Sequence, residues 1–314
     1  MSRQTTDTVL MVRPARFAFN PQTAQDNAFQ HDEPAHEHVH RAALAEFDGY
    51  VDALRVRGVE VIVVDDTPEP PTPDSIFPNN WWSSHDDGTL VLYPMRAPNR
   101  RQERDGPVLG ALANRVAWPR TFDLSAYERE NRFLEGTGSV VFDRDARLCY
   151  ACRSPRTDAG LLDALARRLG YQAFAFDAAD RHGTPIYHTN VMMWVGTTLA
   201  GVCTEAIVDD TDRRAVLGGL RAAGKVVIEL SLAQLGAFAG NMLEVRGRDG
   251  APLVAASRTA WAALDGAQRD TLARHATPIV VAIDTIERVG GGSARCMLAE
   301  VFAPAGRMQG APRS

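Results

Sequence analysis

Gly290-Gly291-Gly292-Ser293-Ala294-Arg295-Cys296-Met297, followed by the apolar run Leu298 to Phe302, is the stretch from which the rest of the chain can be ordered. Its glycines let the backbone approach a bound molecule closely and adopt dihedrals closed to other residues, and they deliver one cysteine to the head of an expected buried strand. That is how a nucleophile is presented. A cysteine beside an arginine and several exposed amides sits where a thiolate, the reactive form, is stabilised. The same local sequence also suits a buried structural cysteine behind a flexible loop, so the decision falls to the remaining residues.

Counting back from Cys296 at intervals of 55, 53, 53 and 55 residues meets Asn241, His188, Glu135 and Asn80. Each polar residue interrupts an apolar segment: Phe238-Ala239-Gly240-Asn241-Met242-Leu243, Tyr187-His188-Thr189-Asn190, Phe133-Leu134-Glu135-Gly136-Thr137-Gly138 and Phe77-Pro78-Asn79-Asn80-Trp81. The elements expected between them recur in the same order. Strands are predicted at Val9 to Val12, Val59 to Val64, Thr89 to Tyr93, around Phe122, Val140 to Phe142, Leu148 to Ala151 and Gln172 to Phe176. Further strands follow at Val191 to Val195, Ala200 to Cys203, Val226 to Leu230, near Leu253 and at Ile279 to Ile283. Helices are predicted at His40 to Arg57, with Ala43, Leu44, Phe47, Val51 and Leu54 on one face, and at Arg104 to Arg115, Ala159 to Leu169, Arg213 to Ala223 and Trp261 to Ala273. A strand, strand, helix, strand unit cannot bury its own sheet face, so about five such units must close on one another. The N-terminal strand and Cys296 then share one composite module that closes the ring. A closed ring brings the recurring residues together at a central pocket. Ordinary α/β alternation also yields regular spacing, but no alternation rule puts Cys, His, Glu and Asn at matching points.

At 314 residues and 45% hydrophobic content the chain can bury a substantial core, and it reads as a single catalytic domain over residues 1–314, its core spanning about 9–304 between short polar tails. Net charge is −5 and Lys225 is the sole lysine, so no basic face advertises nucleic acid or acidic lipid. Met1 to Thr8 lacks the layout of a secretory signal, and no apolar run approaches the ~18 residues of a membrane span, which points to the cytoplasm. Cys149, Cys152, Cys203 and Cys296 are too few and too scattered for a disulfide scaffold.

The residues at the recurring positions are also where the chain resembles a known family. It is similar to the guanidino-group-modifying superfamily, which includes arginine deiminases, dimethylarginine hydrolases, amidinotransferases and succinylarginine dihydrolase. The resemblance runs from about Val9 to Pro304 and implies an α/β fold, the five-module pseudosymmetric α/β propeller known as the pentein. Leu134-Glu135-Gly136 matches its L-(D/E)-G segment, Tyr187-His188-Thr189-Asn190 resembles its H-x-(D/N) segment, and Gly290 to Cys296 resembles the approach to its nucleophilic cysteine. Asn99-Arg100-Arg101-Gln102-Glu103 and Ser154-Pro155-Arg156-Thr157 match R-R-x-E and S-x-R-T segments, whose arginines grip the substrate α-carboxylate in relatives. With Phe77-Pro78-Asn79-Asn80-Trp81 and Phe238-Ala239-Gly240-Asn241-Met242, the nearest likeness is to citrulline-utilisation hydrolases.

Arginine deiminases carry aspartates where Asn80 and Asn190 stand, and those carboxylates hold a cationic guanidinium. A buried cation without a countercharge is costly, whereas a neutral ureido group needs partners that both donate and accept, as an amide does. Succinylarginine dihydrolases resemble this pattern and accept a guanidinium first. The resemblance therefore implies that Cys296 attacks the ureido carbon of citrulline while His188 protonates departing ammonia and then activates water. Glu135 would hold His188, Asn80, Asn190 and Asn241 would orient the ureido group, and Arg100 and Arg156 would take the α-carboxylate. The products would be ornithine, ammonia and carbon dioxide. An arginine deiminase, dihydrolase or amidinotransferase, and a non-catalytic amino-acid-binding protein, share the fold and stay open.

Other constellations point elsewhere only weakly. Cys149-Tyr150-Ala151-Cys152 has zinc spacing but no second pair to complete a tetrahedral site, and His36-Glu37-His38-Val39-His40 reads as a solvated helix start, so no metal is expected. Gly136-Thr137-Gly138-Ser139 lacks the dinucleotide fingerprint, and no phosphate-loop lysine exists. No cofactor is implied, the expected partner is a small-molecule substrate, and homo-oligomerisation is left open.

Overall fold

The structure is a computed structural model that describes residues 3–33 and 36–303; the C-terminal polar tail lies outside them. Strand β1 (Thr8–Arg13) and strand β2 (Glu60–Asp65) pair in parallel, with Val9 opposite Val61. Parallel neighbours need a crossover, and the helix His36–Val56 supplies it, turning Ala43, Phe47, Tyr50, Val51 and Leu54 into the core. Four further sheets follow: β3 (Trp82–Ser84), β4 (Thr89–Leu92) and β5 (Arg120–Asp123); then β6 (Val141–Asp143), β7 (Leu148–Cys152) and β8 (Gln172–Phe176). Next come β9 (Met193–Val195), β10 (Leu199–Val202) and β11 (Val226–Glu229), and last β12 (Leu243–Arg246), β13 (Pro252–Ser257) and β14 (Thr277–Val281). In each sheet the first two strands run antiparallel and the last two parallel. Strand β15 (Ala299–Glu300) pairs antiparallel with β1, so the two ends of the chain build a fifth sheet of the same pattern. The composite closing module expected from the sequence is present.

Burial fixes which strand faces the centre. The first strands β3, β6 and β9 are buried at every residue, whereas the third strands β5, β8 and β11 are largely exposed or half-buried. First strands also touch one another across modules, β15 with β3, β6 with β9, and β9 with β12. They therefore line the inside of the ring. Four apolar clusters fill the spaces between sheets and helices. Lys225, the lone lysine, is buried and ties two modules together through Asp143 Oδ1 at 3.3 Å and the carbonyls of Gly196 and Thr197 at 3.0 Å.

Several elements differ from expectation for local reasons. The helix expected from Arg104 to Arg115 is confined to Val108–Ala113, with Arg104 and Asp105 in a preceding 3-10 turn Gln102–Asp105, because Gly106-Pro107 interrupts it and proline has no N–H to continue the ladder. The helix expected from Trp261 to Ala273 is two, Arg258–Ala263 and Gly266–His275, each with its own N-cap: Ser257 accepts from Ala260 N, and Asp265 forms a capping box with Gln268. The strand expected from Val191 begins at Met193, since Thr189–Val191 coils into a 3-10 turn. The buried run Leu298 to Phe302 contributes only the two residues of β15. No helix among the described residues is long and apolar enough to cross a membrane.

Candidate active site

Each recurring polar residue lies just before the first, innermost strand of its module. Asn80 ends the turn Pro78–Asn80 before β3, Glu135 caps the short helix Gly136–Ser139 before β6, and His188 caps the turn Thr189–Val191 before β9. Asn241 and Cys296 hold the same place before β12 and β15. The geometry of the ring thus carries all five to its centre.

Cys296 is 4% exposed. The chain reaches it through a π-helical turn, Ile286–Gly290, and Gly291, which has φ +65°, a conformation that favours glycine. A Cβ on Gly290 or Gly292 would lie 2.8 Å from the Phe77 ring, so only glycine fits this approach. Asn241 then grips the cysteine. Its Oδ1 accepts from the N–H groups of Arg295 at 3.1 Å and Cys296 at 3.3 Å, which leaves Nδ2 to donate to Cys296 Sγ at 3.2 Å and to Asn190 O at 2.8 Å. Asn190 Nδ2 reaches the same sulfur at 3.6 Å, while its buried Oδ1 has no partner among the described residues.

His188 Nε2 lies 2.8 Å from Glu135 Oε2, and the ring rests on Gly138, where a Cβ would come within 2.8 Å of Nδ1. Burial would push Glu135 upward, but Arg156, the His188 hydrogen bond and Arg100 hold its carboxyl down, to about 2. Burial lowers the His188 pKa despite the opposing pull of Glu135. At neutral pH the pair is a carboxylate steering a neutral imidazole.

Asn80 is fixed from behind. Arg100 Nη1 donates to its Oδ1 at 2.5 Å, leaving Nδ2 buried and without a partner among the described residues. Arg100 is itself held by Glu103 in a bidentate pair at 2.8 and 3.0 Å and by the Phe77 carbonyl at 2.9 Å. Arg156 stacks its guanidinium over the Tyr187 ring at 4.9 Å, donates to Thr23 O at 2.7 Å, and pairs through Nε and Nη2 with Asp26. The forks of both arginines are thus already engaged.

Sequence reasoning missed one wall of the site. The segment from Asn20 to Gln30 lies across the cavity: Gln30 Nε2 donates to Gly290 O at 2.9 Å and Asn27 Nδ2 to Gly291 O at 3.2 Å. Asn20 and Thr23 donate to Asp74 Oδ2, each at 2.8 Å, while Asp74 Oδ1 is buried without a partner among the described residues. Burial raises the Asp74 pKa against the opposing pull of Arg100. The cavity beneath is about 20 Å³, lined by Asp74, Asn80, Arg100, Arg156, His188 and Cys296 among others. That is room for about one water, so a substrate needs this segment to move. The available signal was a stretch of about 20 residues before the first helix with neither helical nor strand periodicity, which in a compact domain is often a covering loop.

A ring of five three-stranded modules is the architecture of the guanidino-group-modifying, or pentein, superfamily. The signature described as N,N dimethylarginine dimethylhydrolase, eukaryotic, matches residues 13–303, and the chain belongs to that family. Solved structures agree on the fold. ArgZ, described as an arginine dihydrolase from the ornithine-ammonia cycle in cyanobacteria, superposes with TM-score 0.72 at 16% identity, over 95% of this chain and 41% of ArgZ. The ArgZ N-terminal domain alone, bound to its substrate, is covered to 98% at TM-score 0.71 and 16% identity. AgrE gives 0.72 at 19% identity, over 95% of this chain and 39% of AgrE. A dimethylarginine dimethylaminohydrolase variant carrying an S-methyl-L-thiocitrulline adduct gives 0.64 at 14% identity, over 96% of this chain and all of that one. No curated sequence is significantly similar to the chain.

Proposed function

We propose that the protein is a cofactor-independent thiol hydrolase acting on the ureido group of citrulline, with Cys296 as nucleophile, His188 as acid and base, and Glu135 as the group that orients His188. The observation that carries this reading is the pose of Asn80. With Oδ1 taken by Arg100, Asn80 has only a donor left, and a donor needs an acceptor on the substrate. A ureido oxygen is one; a guanidinium has none. Asn190 Oδ1 complements it as an acceptor for a ureido N–H.

In this mechanism the Cys296 thiol, hydrogen-bonded by Asn241, gives its proton to the neutral His188 as the sulfur attacks the ureido carbon, and charge developing on the oxygen falls to Asn80 Nδ2. His188 protonates the departing ammonia, leaving a thiocarbamoyl group on Cys296. It then takes a proton from the water that breaks the carbon–sulfur bond, which releases a carbamate that separates into ornithine and carbon dioxide. Arg156 takes the α-carboxylate and Asp74 the α-ammonium. Arg100, bound to Glu103, contributes chiefly by fixing Asn80.

A second reading rests on Glu135. Asp74 takes the α-ammonium of arginine as readily as that of citrulline, and the ionised Glu135 carboxylate is a countercharge for a guanidinium, so an arginine dihydrolase passing through citrulline fits the same residues. ArgZ is described with that activity. Incubating the protein with citrulline or with arginine, and assaying ornithine, citrulline and ammonia, separates these readings from a deiminase or a binding protein. Ornithine from citrulline is expected; none would overturn the proposal.

A further inference from the structure

Arg156 pairs with Glu135 Oε2 at 3.5 Å and, alone among the described guanidiniums lining the cavity, also with a carboxylate of the covering segment. Asp26 Oδ1 accepts from both Nε and Nη2 of Arg156, which is the seat a substrate carboxylate would take. The other oxygen, Oδ2, accepts from Arg96 Nη1. The two arginines differ in exposure: the Arg156 side chain is 4% exposed and that of Arg96 is 35%. Asp26 therefore has somewhere to go. Displaced from Arg156, it keeps Arg96 and gains water, whereas Glu103 is buried with Arg100 and has no comparable exit.

We propose that Asp26 is an internal competitor for the carboxylate subsite, and that it sets how strongly the site discriminates between amino acids and their decarboxylated amines. A ligand bearing an α-carboxylate must move Asp26 from Arg156 to Arg96 before it binds. A ligand lacking the carboxylate must also lift the segment to enter, but once it is bound Asp26 can return to Arg156, because nothing competes for that seat. The competition weakens the binding of amino acids and not that of amines. The identity of the ligands rests on the ureido-hydrolase reading; the exchange at Arg156 does not.

The test is calorimetric titration of citrulline and of N-carbamoylputrescine into the Cys296→Ser protein, alone and combined with Asp26→Asn. Asp26→Asn should tighten citrulline on the order of tenfold and leave the amine within about twofold, the scale of one charge-assisted hydrogen bond. Arg96→Gln, which removes the alternative seat, should act in the opposite direction and weaken citrulline alone. If Asp26→Asn weakens citrulline or leaves it unchanged, or if both ligands respond alike, the proposal is overturned. If neither ureido compound binds the parent, the substrate reading has failed instead. Ornithine against putrescine then carries the same comparison and decides the role of Asp26.

Discussion

Asn241 holds Cys296 at two atoms, accepting its N–H on Oδ1 at 3.3 Å and donating to its sulfur from Nδ2 at 3.2 Å. The second contact depends on the first, because the backbone donors dictate which way the amide faces. Asn241→Asp keeps the acceptor and replaces the donor with an oxygen that repels a thiolate. We expect kcat to fall by about a hundredfold or more, the usual cost of losing one aimed donor, and the thermal midpoint to fall as well, because the new oxygen also faces the Asn190 carbonyl that Nδ2 now serves. Asn241→Ala should lose both, since it also strands the buried N–H groups of Arg295 and Cys296. Equal kcat in the wild type and Asn241→Asp would remove Asn241 from the chemistry.

The cysteines give a second prediction. Burial pushes Cys149 and Cys152 up to about 12 and Cys203 to about 11, and none of the three lines the catalytic cavity. Cys296→Ser should abolish turnover while leaving the fold intact, because a hydroxyl is a poor nucleophile at neutral pH. Cys149→Ser, Cys152→Ser and Cys203→Ser should keep the chemistry, although each inserts a hydroxyl into a packed site. A covalent adduct trapped during turnover and located by mass spectrometry on any cysteine but Cys296 would refute the assignment.

How much of this was legible in the sequence depends on the distance over which each signal acts. The period linking Asn80, Glu135, His188, Asn241 and Cys296 survives because every module must present one residue at the head of its inner strand, so topology is written as spacing. The orientation of those residues was not legible. Nothing near Asn80 in sequence says that Arg100, 20 residues away, will claim its oxygen, and nothing near His188 says that Gly138 must lack a side chain for the ring to lie where it does. Asp26 and Asp74 were missed for a related reason. They sit in segments without helical or strand periodicity, and their meaning comes from contacts with residues 130 and 51 positions away.

Glu135 makes the fold sensitive to acid. Its folded pKa of about 2 lies below the ordinary 4.5, so its contribution is fully present above 4.5 and is lost as pH falls toward 2. Across that window the wild type should lose about 3 kcal/mol from this group. His188 acts in the same direction at higher pH. Its folded pKa lies below 6.5, so the unfolded chain takes up the proton first and stability declines as pH drops through 6.5. Urea midpoints measured from neutral pH to about pH 2 should show Glu135→Gln less stable at neutrality and converging on the wild type in acid. Parallel curves would mean that Glu135 is not held below its usual range.

Substrate choice is tested best at Asn80. Replacing Asn80 and Asn190 together would confound two effects, because a carboxylate at 190 would lie about where Asn190 Nδ2 now stands, 3.6 Å from Cys296 Sγ, and oppose the thiolate. At position 80 the new carboxylate meets Arg100 instead, whose Nη1 already lies 2.5 Å from Oδ1. One oxygen would stay with Arg100, and the other would replace the donor with an acceptor, the only change the cavity experiences directly. A ureido oxygen would then face an oxygen, whereas a guanidinium N–H would gain a partner. One mismatched buried hydrogen bond costs about 1–3 kcal/mol, so Asn80→Asp should move the arginine-to-citrulline ratio of kcat/KM upward by roughly ten- to a hundredfold. Arg100 will dilute the new charge, which keeps the shift below that of an isolated buried carboxylate. The ratio is the quantity to measure, since both rates can fall if the cavity repacks. A ratio that stays at the wild-type value in a folded, active Asn80→Asp enzyme would show that the donor on Asn80 does not read the substrate.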